Sequence, residues 1–199
     1  MENKEFEFLK GKTLLLASAS PRRRELLGNL GIPVELATLH DVDESYPDTL
    51  ALEDVAPYVS KKKAAAYKSE FADGQVLVAA DTVVISDGKV LGKPHSEDEA
   101  RRMLRQLSGS THRVVTGVTL VSGSNTLTFA EHTDVTFDEL TDDEIDYYVD
   151  RFRPLDKAGA YGIQEWIGYI GISGISGDYY NVVGLPLRSL YRHLRALLA

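Results

Sequence analysis

Three consecutive arginines, Arg22, Arg23 and Arg24, follow a short apolar run that ends in small residues. The intervening Ser20 and Pro21 are typical of a helix start, since serine caps free N–H groups and proline has no N–H to lose there. A helix N-terminus carries a partial positive charge, so arginines in its first turn are unfavourable unless an anion compensates their charge. Arg22 and Arg23 therefore predict a phosphate site, with a solvated basic turn as an equal alternative, whereas Arg24 is expected at the surface.

Asp81 and Thr82 stand inside the apolar run "QVLVAADTVVIS", which predicts a strand buried on both faces. A buried aspartate is costly unless it is paired or bound to a cation. In a second interpretation the strand ends here, and Asp81 projects from its carboxyl end, where open α/β sheets bind ligands. A carboxylate that only caps a turn is disfavoured, because valine and isoleucine continue after it. Asp81 is therefore a candidate for chemistry.

Lysines in two further segments could neutralise a phosphate. In "VSKKKAAAYK", Lys62 falls within the apolar stripe of a predicted helix and Lys63 at its margin, so periodicity does not choose between them. In "LGKPH", Gly92 and Pro94 fix the backbone on both sides of Lys93, which could act as a compact positive charge. The alternatives are a lysine that snorkels from its helix and an ordinary lysine in a turn.

The segment 154–164, "PLDKAGAYGIQ", combines small residues with side chains that could recognise a base. Its glycines allow the backbone to approach a ligand closely. Tyr161 offers a surface for stacking, and the Gln164 amide offers both donors and an acceptor, which suits the edge of a nucleobase. The alternative is a tight turn that contains a structural pair of Asp156 and Lys157.

Acidic residues near the second predicted strand could serve a metal. Asp41, Asp43 and Glu44 lie together in "HDVDES". A pair of carboxylates beside a phosphate site suggests Mg²⁺, which takes a few carboxylates together with phosphate oxygens. A solvated acidic loop is the more common outcome for such a cluster, and both interpretations stay open at this point.

Composition restricts the function classes. The formal net charge of the 199 residues is −8, so the molecule as a whole repels nucleic acids and anionic membranes. There is no cysteine, which excludes disulfides, thiolate catalysis and cysteine-ligated zinc, and the five histidines show no ligand spacing. No apolar run approaches the roughly 20 residues that span a bilayer. We expect a cytoplasmic protein without a nucleic-acid or membrane partner.

Strand and helix signals alternate along the chain, which predicts an α/β fold with a mixed sheet in a single domain, residues 1–199. Two long strands around "GSN" are expected to pair antiparallel. The predicted strands are residues 13–18, 34–38, 75–86, 112–122 and 126–140, and the predicted helices are residues 21–31, 52–71, 96–109, 141–152 and 187–198.

In order along the chain, these pieces resemble the Maf family of nucleoside triphosphate pyrophosphatases. The matching segments are "LASASPRRREL", "VDE", "KKKA", "AADTVV", "GKP", "LSGSTHRVVTGV", "PLDKAGAYGIQ" and "YYNVVGLPL". The resemblance implies a mixed, strongly twisted sheet flanked by helices, as in inosine triphosphatases, with a nucleotide cleft at the sheet edge. It also implies hydrolysis of a nucleoside triphosphate to the monophosphate and pyrophosphate with a divalent cation, Mg²⁺ or Mn²⁺. "SPRR", "ADT" and "YGIQ" are similar to the branch that acts on dTTP and UTP.

The resemblance also implies roles for individual residues. Asp81 matches the general base, and Glu44 with Asp81 matches the metal site. The remaining matches concern the substrate: Arg22, Thr82 and Gln164 for specificity, Arg23, Lys63 and Lys93 for the phosphates, and Ser18 as a further site position. This pattern favours Lys63 over Lys62, a choice that periodicity leaves open.

One departure from the family pattern follows Gln164. Where the family usually continues with glycine and other small residues, this chain has Glu165 and Trp166, in a region expected to shape the base pocket.

The main alternative function is a non-catalytic nucleotide-binding regulator of septum formation, and binding of nucleic acid through "PRRR" ranks below it because of the acidic net charge. A homodimer is compatible with the sequence.

Overall fold

The computed structural model describes residues 4–67 and 72–199. Its strands are β1 Thr13–Leu16, β2 Val34–Leu36, β3 Gln75–Ser86, β4 Lys89–Leu91, β5 Thr111–Ser122, β6 Asn125–Phe137 and β7 Ile172–Ser176. They form one sheet in the order β2-β1-β3-β5-β6-β7, with β4 paired to β3. β1 is parallel to β2 and β3, and the other pairs are antiparallel, including β5 with β6. The predicted α/β class with a mixed sheet is confirmed.

Helices flank this sheet. They are α1 Pro21–Gly28, α2 Val55–Ala65, α3 Glu97–Leu107, α4 Asp142–Phe152, α5 Trp166–Gly171, α6 Tyr179–Val183 and α7 Leu187–Leu198. Short 3₁₀ helices cover Lys4–Leu9, Leu52–Asp54 and Ala158–Ala160. Within the described ranges, none of the helices has the length and apolar character that a bilayer span requires.

β3 and α7 begin and end at the predicted residues, whereas the end of α1 was predicted wrongly. The helix ends at Gly28 and not at residue 31. The amides of Leu30 and Gly31 donate to carbonyls three residues earlier, at Leu27 and Gly28. This tighter pattern is typical of a terminal turn, and Gly31 with its φ of 70° then reverses the chain.

The helix predicted over residues 52–71 is also shorter than expected. A 3₁₀ turn precedes α2, and Pro57 lies in the first turn of α2, where its missing N–H has no partner to lose. At the other end the amides of Ala66 and Tyr67 donate to carbonyls three residues earlier, which closes the helix after Ala65. The last part of the prediction, 68–71, lies outside the described residues.

Among the described residues, no strand pairs with one side of β3 in the middle of the sheet. β1 pairs with β3 only as far as Leu16 opposite Val78, and β4 takes up the same side at Val84. On its other side β3 pairs with β5 throughout this stretch. We call the gap beside residues 79–83, between the end of β1 and β4, the notch. The backbone groups of β3 in the notch need partners that no strand within residues 4–67 and 72–199 supplies.

Alternate residues along β3 face opposite sides of the sheet. Val78 and Ala80 pack with leucines of α1 and α7. Ala79 packs on the opposite face, in a cluster that includes the end of α2. Continuing this alternation, Asp81 lies on the face of α2 and Thr82 on the face of α7. The notch thus exposes two adjacent polar side chains that point away from each other.

α2 approaches the sheet so closely that one strand position has no room for a side chain. Gly117 on β5 pairs with Asp81, and a Cβ atom at Gly117 would lie 2.2 Å from the backbone nitrogen of Pro57. Helix backbone cannot turn aside as the end of a flexible side chain could. This close contact keeps α2 at a short distance from the sheet. Lys63, in a later turn of α2, can therefore reach Asp81.

Gly117→Ala is expected to lower the free energy of unfolding by about 2 kcal/mol, because overpacking a filled contact costs roughly 1–3 kcal/mol. Urea unfolding measures the change. Gly28→Ala is the matched control, since a Cβ atom there would meet nothing within 4 Å and alanine favours a helix by up to about 1 kcal/mol. Equal stabilities of the two variants would contradict the close approach of α2.

His112 on β5 is buried among aromatic side chains. It is 3% exposed, its ring stacks on Phe137 with centroids 5.7 Å apart, and its Nε2 lies 2.7 Å from the Tyr161 hydroxyl. Burial lowers the pKa of His112 to about 4, although the charge of Asp134 acts in the opposite direction. The folded protein therefore holds a neutral His112 at neutral pH.

The depressed pKa predicts a pH dependence of stability. Below the ordinary histidine pKa of about 6.5 the unfolded chain binds the proton before the folded one, so stability is intact above that pH. It is then lost as the pH falls towards 4, the pKa of the folded state. Between pH 7.5 and pH 5, wild type should lose about 2 kcal/mol more than His112→Gln in urea unfolding.

The matched control is His95→Gln, the same change at an exposed histidine. This control should keep the wild-type dependence on pH. Parallel curves for wild type and His112→Gln would refute a buried neutral histidine at this position.

Candidate active site

The notch opens into a cleft of about 350 Å³, a size common for small-molecule sites. Its walls come from the end of β1, the start of α1, the loop after β2, α2, β3, the loop after β4 and the segment 156–164. All of the site residues that the family resemblance implies lie along it: Ser18, Arg22, Arg23, Glu44, Lys63, Asp81, Thr82, Lys93 and Gln164.

Asp81 and Lys63 form an ion pair at the centre of the notch. Lys63 Nζ lies 2.8 Å from Asp81 Oδ1 and 2.9 Å from Glu44 Oε1. The side chains of Lys63 and Asp81 are each 14% exposed, so water screens this pair little. β3 continues to Ser86, so the alternative in which the strand ends at Asp81 is wrong. The aspartate is reachable because β1 has ended beside it.

Lys62 takes a different set of partners. Its Nζ donates to Asp43 Oδ2 at 3.0 Å and to the carbonyl of Ser45 at 2.9 Å. Asp43 itself accepts from the hydroxyl and the amide of Ser45, bonds that hold its pKa well below the ordinary value. The two neighbouring lysines therefore divide the acidic loop between them, and of the two only Lys63 lines the cleft.

Two carboxylates share the single ammonium of Lys63, which leaves negative charge in excess at this place. Carboxylate oxygens are ligands that hard divalent cations prefer. Among the described residues, no group of three or more histidine, cysteine, aspartate or glutamate side chains could hold a metal ion. Glu44 and Asp81 could thus hold a cation only together with ligands from water or from a bound molecule, such as phosphate oxygens.

Arg23 replaces the missing strand neighbour in the notch. Its Nη1 donates to the carbonyl of Ala80 at 2.9 Å and to Ser18 Oγ at 3.3 Å. Its Nε donates to the carbonyl of Gly184 at 2.9 Å, and its Nη2 donates to Thr82 Oγ1 at 2.9 Å. These bonds occupy most of the five N–H groups of the guanidinium. Arg23 thereby ties α1, β1, β3 and the end of α6 together.

The hydroxyl of Thr82 continues this network into the core. It lies 2.9 Å from the hydroxyl of Thr116 on β5, which in turn donates to the carbonyl of Asn181 at 3.1 Å. Asn181 is fully buried and donates to Val114 and Thr133. Neither Thr116 nor Asn181 was predicted from the sequence, although a threonine in a valine-rich strand is a signal for a buried hydrogen bond.

Arg22, in the first turn of α1, is bound to the segment 154–164. Its Nη1 lies 2.6 Å from Asp156 Oδ2. Burial raises the pKa of Asp156, but the hydrogen bonds from Lys157 and Arg22 outweigh it and lower that pKa to about 2. The alternative of a structural Asp–Lys pair is thus confirmed for these two residues, beside the cleft rather than instead of it.

Lys93 is exposed at the rim of the cleft, and no described residue forms an ion pair or hydrogen bond with its ammonium. The carbonyl of the preceding Gly92 accepts from Gly159 at 3.0 Å, which fixes this loop against the segment 154–164. An unpaired ammonium on a fixed backbone is available to an anion in the cleft.

Gln164 presents an unsatisfied amide to the cleft. Its Oε1 is buried and has no hydrogen-bond partner among the described residues. Its backbone carbonyl accepts from the hydroxyl of Tyr169 at 2.6 Å, which fixes the chain at this point. Since buried polar atoms are nearly always paired, an orphaned acceptor that lines a cleft indicates a place for a donor from a ligand.

Comparisons with known proteins give the family of this chain. The family model described as "Maf-like protein" matches residues 13–197. A protein from Phocaeicola vulgatus named dTTP/UTP pyrophosphatase is 52% identical over 191 residues, which cover 96% of this chain and 99% of that protein. A protein of the same name from Porphyromonas gingivalis strain W83 is 51% identical over 189 residues, 94% of this chain and 95% of its own length.

A solved structure described as a nucleoside-triphosphatase / dITP/XTP pyrophosphatase, from Mycobacterium abscessus, aligns with 93% of this chain and 96% of its own, at 18% identity and a TM-score of 0.42. The family match spans nearly the whole sequence, and the two relatives are about half identical to it over almost their full length. The protein therefore belongs to the Maf family, as its motifs predicted.

Proposed function

We propose that the protein hydrolyses dTTP and UTP to the nucleoside monophosphate and pyrophosphate, a house-cleaning role in the nucleotide pool. One observation carries the proposal: the Lys63 ammonium sits between Glu44 and Asp81, in a cleft that also holds the unsatisfied amide of Gln164. Relatives about half identical to this chain are named dTTP/UTP pyrophosphatase, which supports the choice of substrate. We take residues 1–199 as one catalytic unit that works in the cytoplasm.

Glu44 and Asp81 are the residues that would hold the divalent cation, Mg²⁺ or Mn²⁺. Their oxygens fit such an ion, because Mg²⁺ is usually bound by one or two carboxylates and by phosphate oxygens of the substrate. When bound, the cation neutralises charge on the triphosphate and helps to orient it for in-line attack. Lys63 adds a positive charge at the same place.

Asp81 is the proposed general base. Its Oδ1 accepts from Lys63, and no described residue donates to its Oδ2, which leaves that oxygen for a water molecule. In the proposed reaction Asp81 takes the proton of the water that attacks the α-phosphorus, and the bond from the α-phosphorus to the bridging oxygen breaks to release pyrophosphate. Phosphoryl transfer depends mainly on positioning and on neutralisation of charge.

The basic residues supply that neutralisation. We assign Arg22, Arg23, Lys63 and Lys93 to the phosphate oxygens, where they stabilise charge that develops on the leaving pyrophosphate. Arg23 has few N–H groups left for this, so its main contribution is to hold Ser18 and Thr82 in place. Arg22 and Lys93 have more free donors and carry more of the direct contact.

Gln164 suits a uracil or thymine base. In both bases N3 carries a hydrogen, and the exocyclic carbonyl oxygens on either side of it accept hydrogen bonds. The orphaned Oε1 of Gln164 would accept from N3–H, and its Nε2 would donate to a ring carbonyl. Cytosine has no hydrogen at N3, so the same amide orientation would leave two acceptors facing each other. Thr82 and Arg22 complete the proposed set of specificity residues.

Asp81→Asn is expected to reduce pyrophosphate release from UTP by about 10³-fold, the usual order for loss of a general base. Asparagine keeps the shape of the side chain and can still accept from Lys63, so folding should change little. A coupled pyrophosphate assay with Mg²⁺ measures the loss. Asp43→Asn is the matched control, because Asp43 pairs with the neighbouring Lys62 at an exposed position and does not line the cleft.

Release by Asp81→Asn within about tenfold of wild type would exclude Asp81 as the base. Wild-type protein that binds UTP but releases no pyrophosphate would instead favour the non-catalytic regulator of septum formation.

Gln164→Ala is expected to lower the preference for UTP over CTP, expressed as the ratio of the two kcat/KM values, by roughly 10-fold to 100-fold. The estimate follows from the 1–3 kcal/mol that a well-placed pair of hydrogen bonds to a base contributes to discrimination. Gln106→Ala on α3, which does not line the cleft, is the control. An unchanged ratio would remove Gln164 from base recognition.

A further inference from the structure

The side chain of Glu165, which directly follows the segment 154–164, contacts a residue near the start of that segment. Glu165 Oε1 lies 3.1 Å from Lys157 Nζ, near the start of the segment. Its other oxygen, Oε2, accepts a short hydrogen bond from the hydroxyl of Tyr148 on α4. That hydroxyl accepts from the amide of Gly162 at 3.0 Å. One carboxylate thus connects both ends of the segment to α4.

Gly162 makes room for this carboxylate. A Cβ atom at Gly162 would lie 2.8 Å from Glu165 Cδ and 3.0 Å from its Oε2. The glycine therefore allows the carboxyl group to lie directly over the backbone that leads to Gln164. Burial raises the pKa of Tyr148, and the bond to Glu165 adds to this effect, so the hydroxyl keeps the proton that it donates.

We call the contacts of Glu165 with Lys157 and Tyr148 the clasp. A series of ion pairs connects the clasp to the phosphate side of the cleft. Lys157 is only 7% exposed, and a buried ammonium is costly unless it is paired. It lies 2.8 Å from Asp156 Oδ1 on one side and bonds to Glu165 on the other. Asp156 uses its second oxygen for Arg22. Charges of alternating sign thus run without a break from Glu165 to Arg22.

Trp166, the second departure from the family pattern, points elsewhere. Its ring packs against Tyr147 on α4, with centroids 4.8 Å apart, and it does not line the cleft. Of the two residues, only Glu165 connects to the groups around Gln164 and Arg22.

We propose that Glu165 is a positioning residue for specificity: its clasp on Lys157 and Tyr148 holds the Gln164 amide in register with Arg22. The proposal rests on the proposed function for its substrate. The positioning of the segment by Glu165 can be tested independently of the substrate, because the clasp forms in the protein without a nucleotide. Loss of the carboxylate leaves Lys157 with one acid and Tyr148 without an acceptor, so the segment loses its closure.

Two variants test the clasp. Glu165→Ala removes it, and Glu165→Gln keeps the shape but has a single acceptor oxygen, so its two terminal atoms cannot accept from both Tyr148 and Lys157. Glu7→Gln, an exposed position outside the cleft, is the matched control. The first measurement is hydrogen exchange by mass spectrometry on nucleotide-free protein. Amides of residues 157–164 should exchange about tenfold faster in Glu165→Ala, with a smaller increase in Glu165→Gln and none in the control.

The second measurement is the ratio of kcat/KM for UTP and CTP. A merely structural role would reduce the amount of folded enzyme, which cancels in this ratio. We expect the ratio to fall by about tenfold in Glu165→Ala. Gln164→Ala should lower the same ratio while the hydrogen exchange of the segment stays at the wild-type rate. This difference distinguishes Gln164, which contacts the base, from Glu165, which positions Gln164.

Wild-type exchange in both Glu165 variants would overturn the proposal, and so would faster exchange with an unchanged ratio. Wild-type protein that releases no pyrophosphate would defeat the proposed function alone. In that case the dissociation constants of UTP and CTP would be measured for wild type and Glu165→Ala. An equal ratio of the two constants in both proteins would again overturn the role of Glu165.

Discussion

A central strand that loses its neighbour halfway along must satisfy its backbone groups in another way, and the rest of this site depends on how β3 does so. β1 stops pairing after Val78, and the guanidinium of Arg23 takes the next free carbonyl, that of Ala80. Because the substitute is a side chain and not a strand, the space beside Asp81 and Thr82 stays open. A residue buried in the sheet thus becomes accessible without a break in the strand.

The second physical theme is the balance of charge around that opening. Lys63 is shared by Glu44 and Asp81, and Arg22 is paired with Asp156, so most cations of the cleft are already neutralised by acids. A triphosphate in the cleft would compete with these acids for the same cations, and a divalent cation would compensate the acids. Substrate and metal are therefore expected to bind more favourably together than separately, which suits a reaction that depends on charge neutralisation.

The parts of this structure that the sequence predicted well are those with strong local periodicity. β3 and α7 match to the residue, because a strand buried on both faces and an amphipathic helix leave clear patterns. The choice between Lys62 and Lys63 needed the family pattern, since both lie near the apolar stripe. The pair of Arg22 and Asp156 joins residues 134 positions apart, and the clasp of Glu165 depends on α4. Such contacts arise from tertiary packing and leave no local signal.

In the proposed complex the cleft holds the nucleotide, with its base at Gln164 and its phosphates at the basic residues. A crystal structure with the non-hydrolysable analogue uridine 5′-(α,β-imido)triphosphate and Mg²⁺ tests it most directly. We expect uracil N3 within hydrogen-bond distance of Gln164 Oε1, phosphate oxygens against Lys93 and Arg22, and Arg23 still bound to Ala80 and Thr82. A nucleotide bound outside the cleft, or one with its phosphates beside Gln164, would contradict this placement.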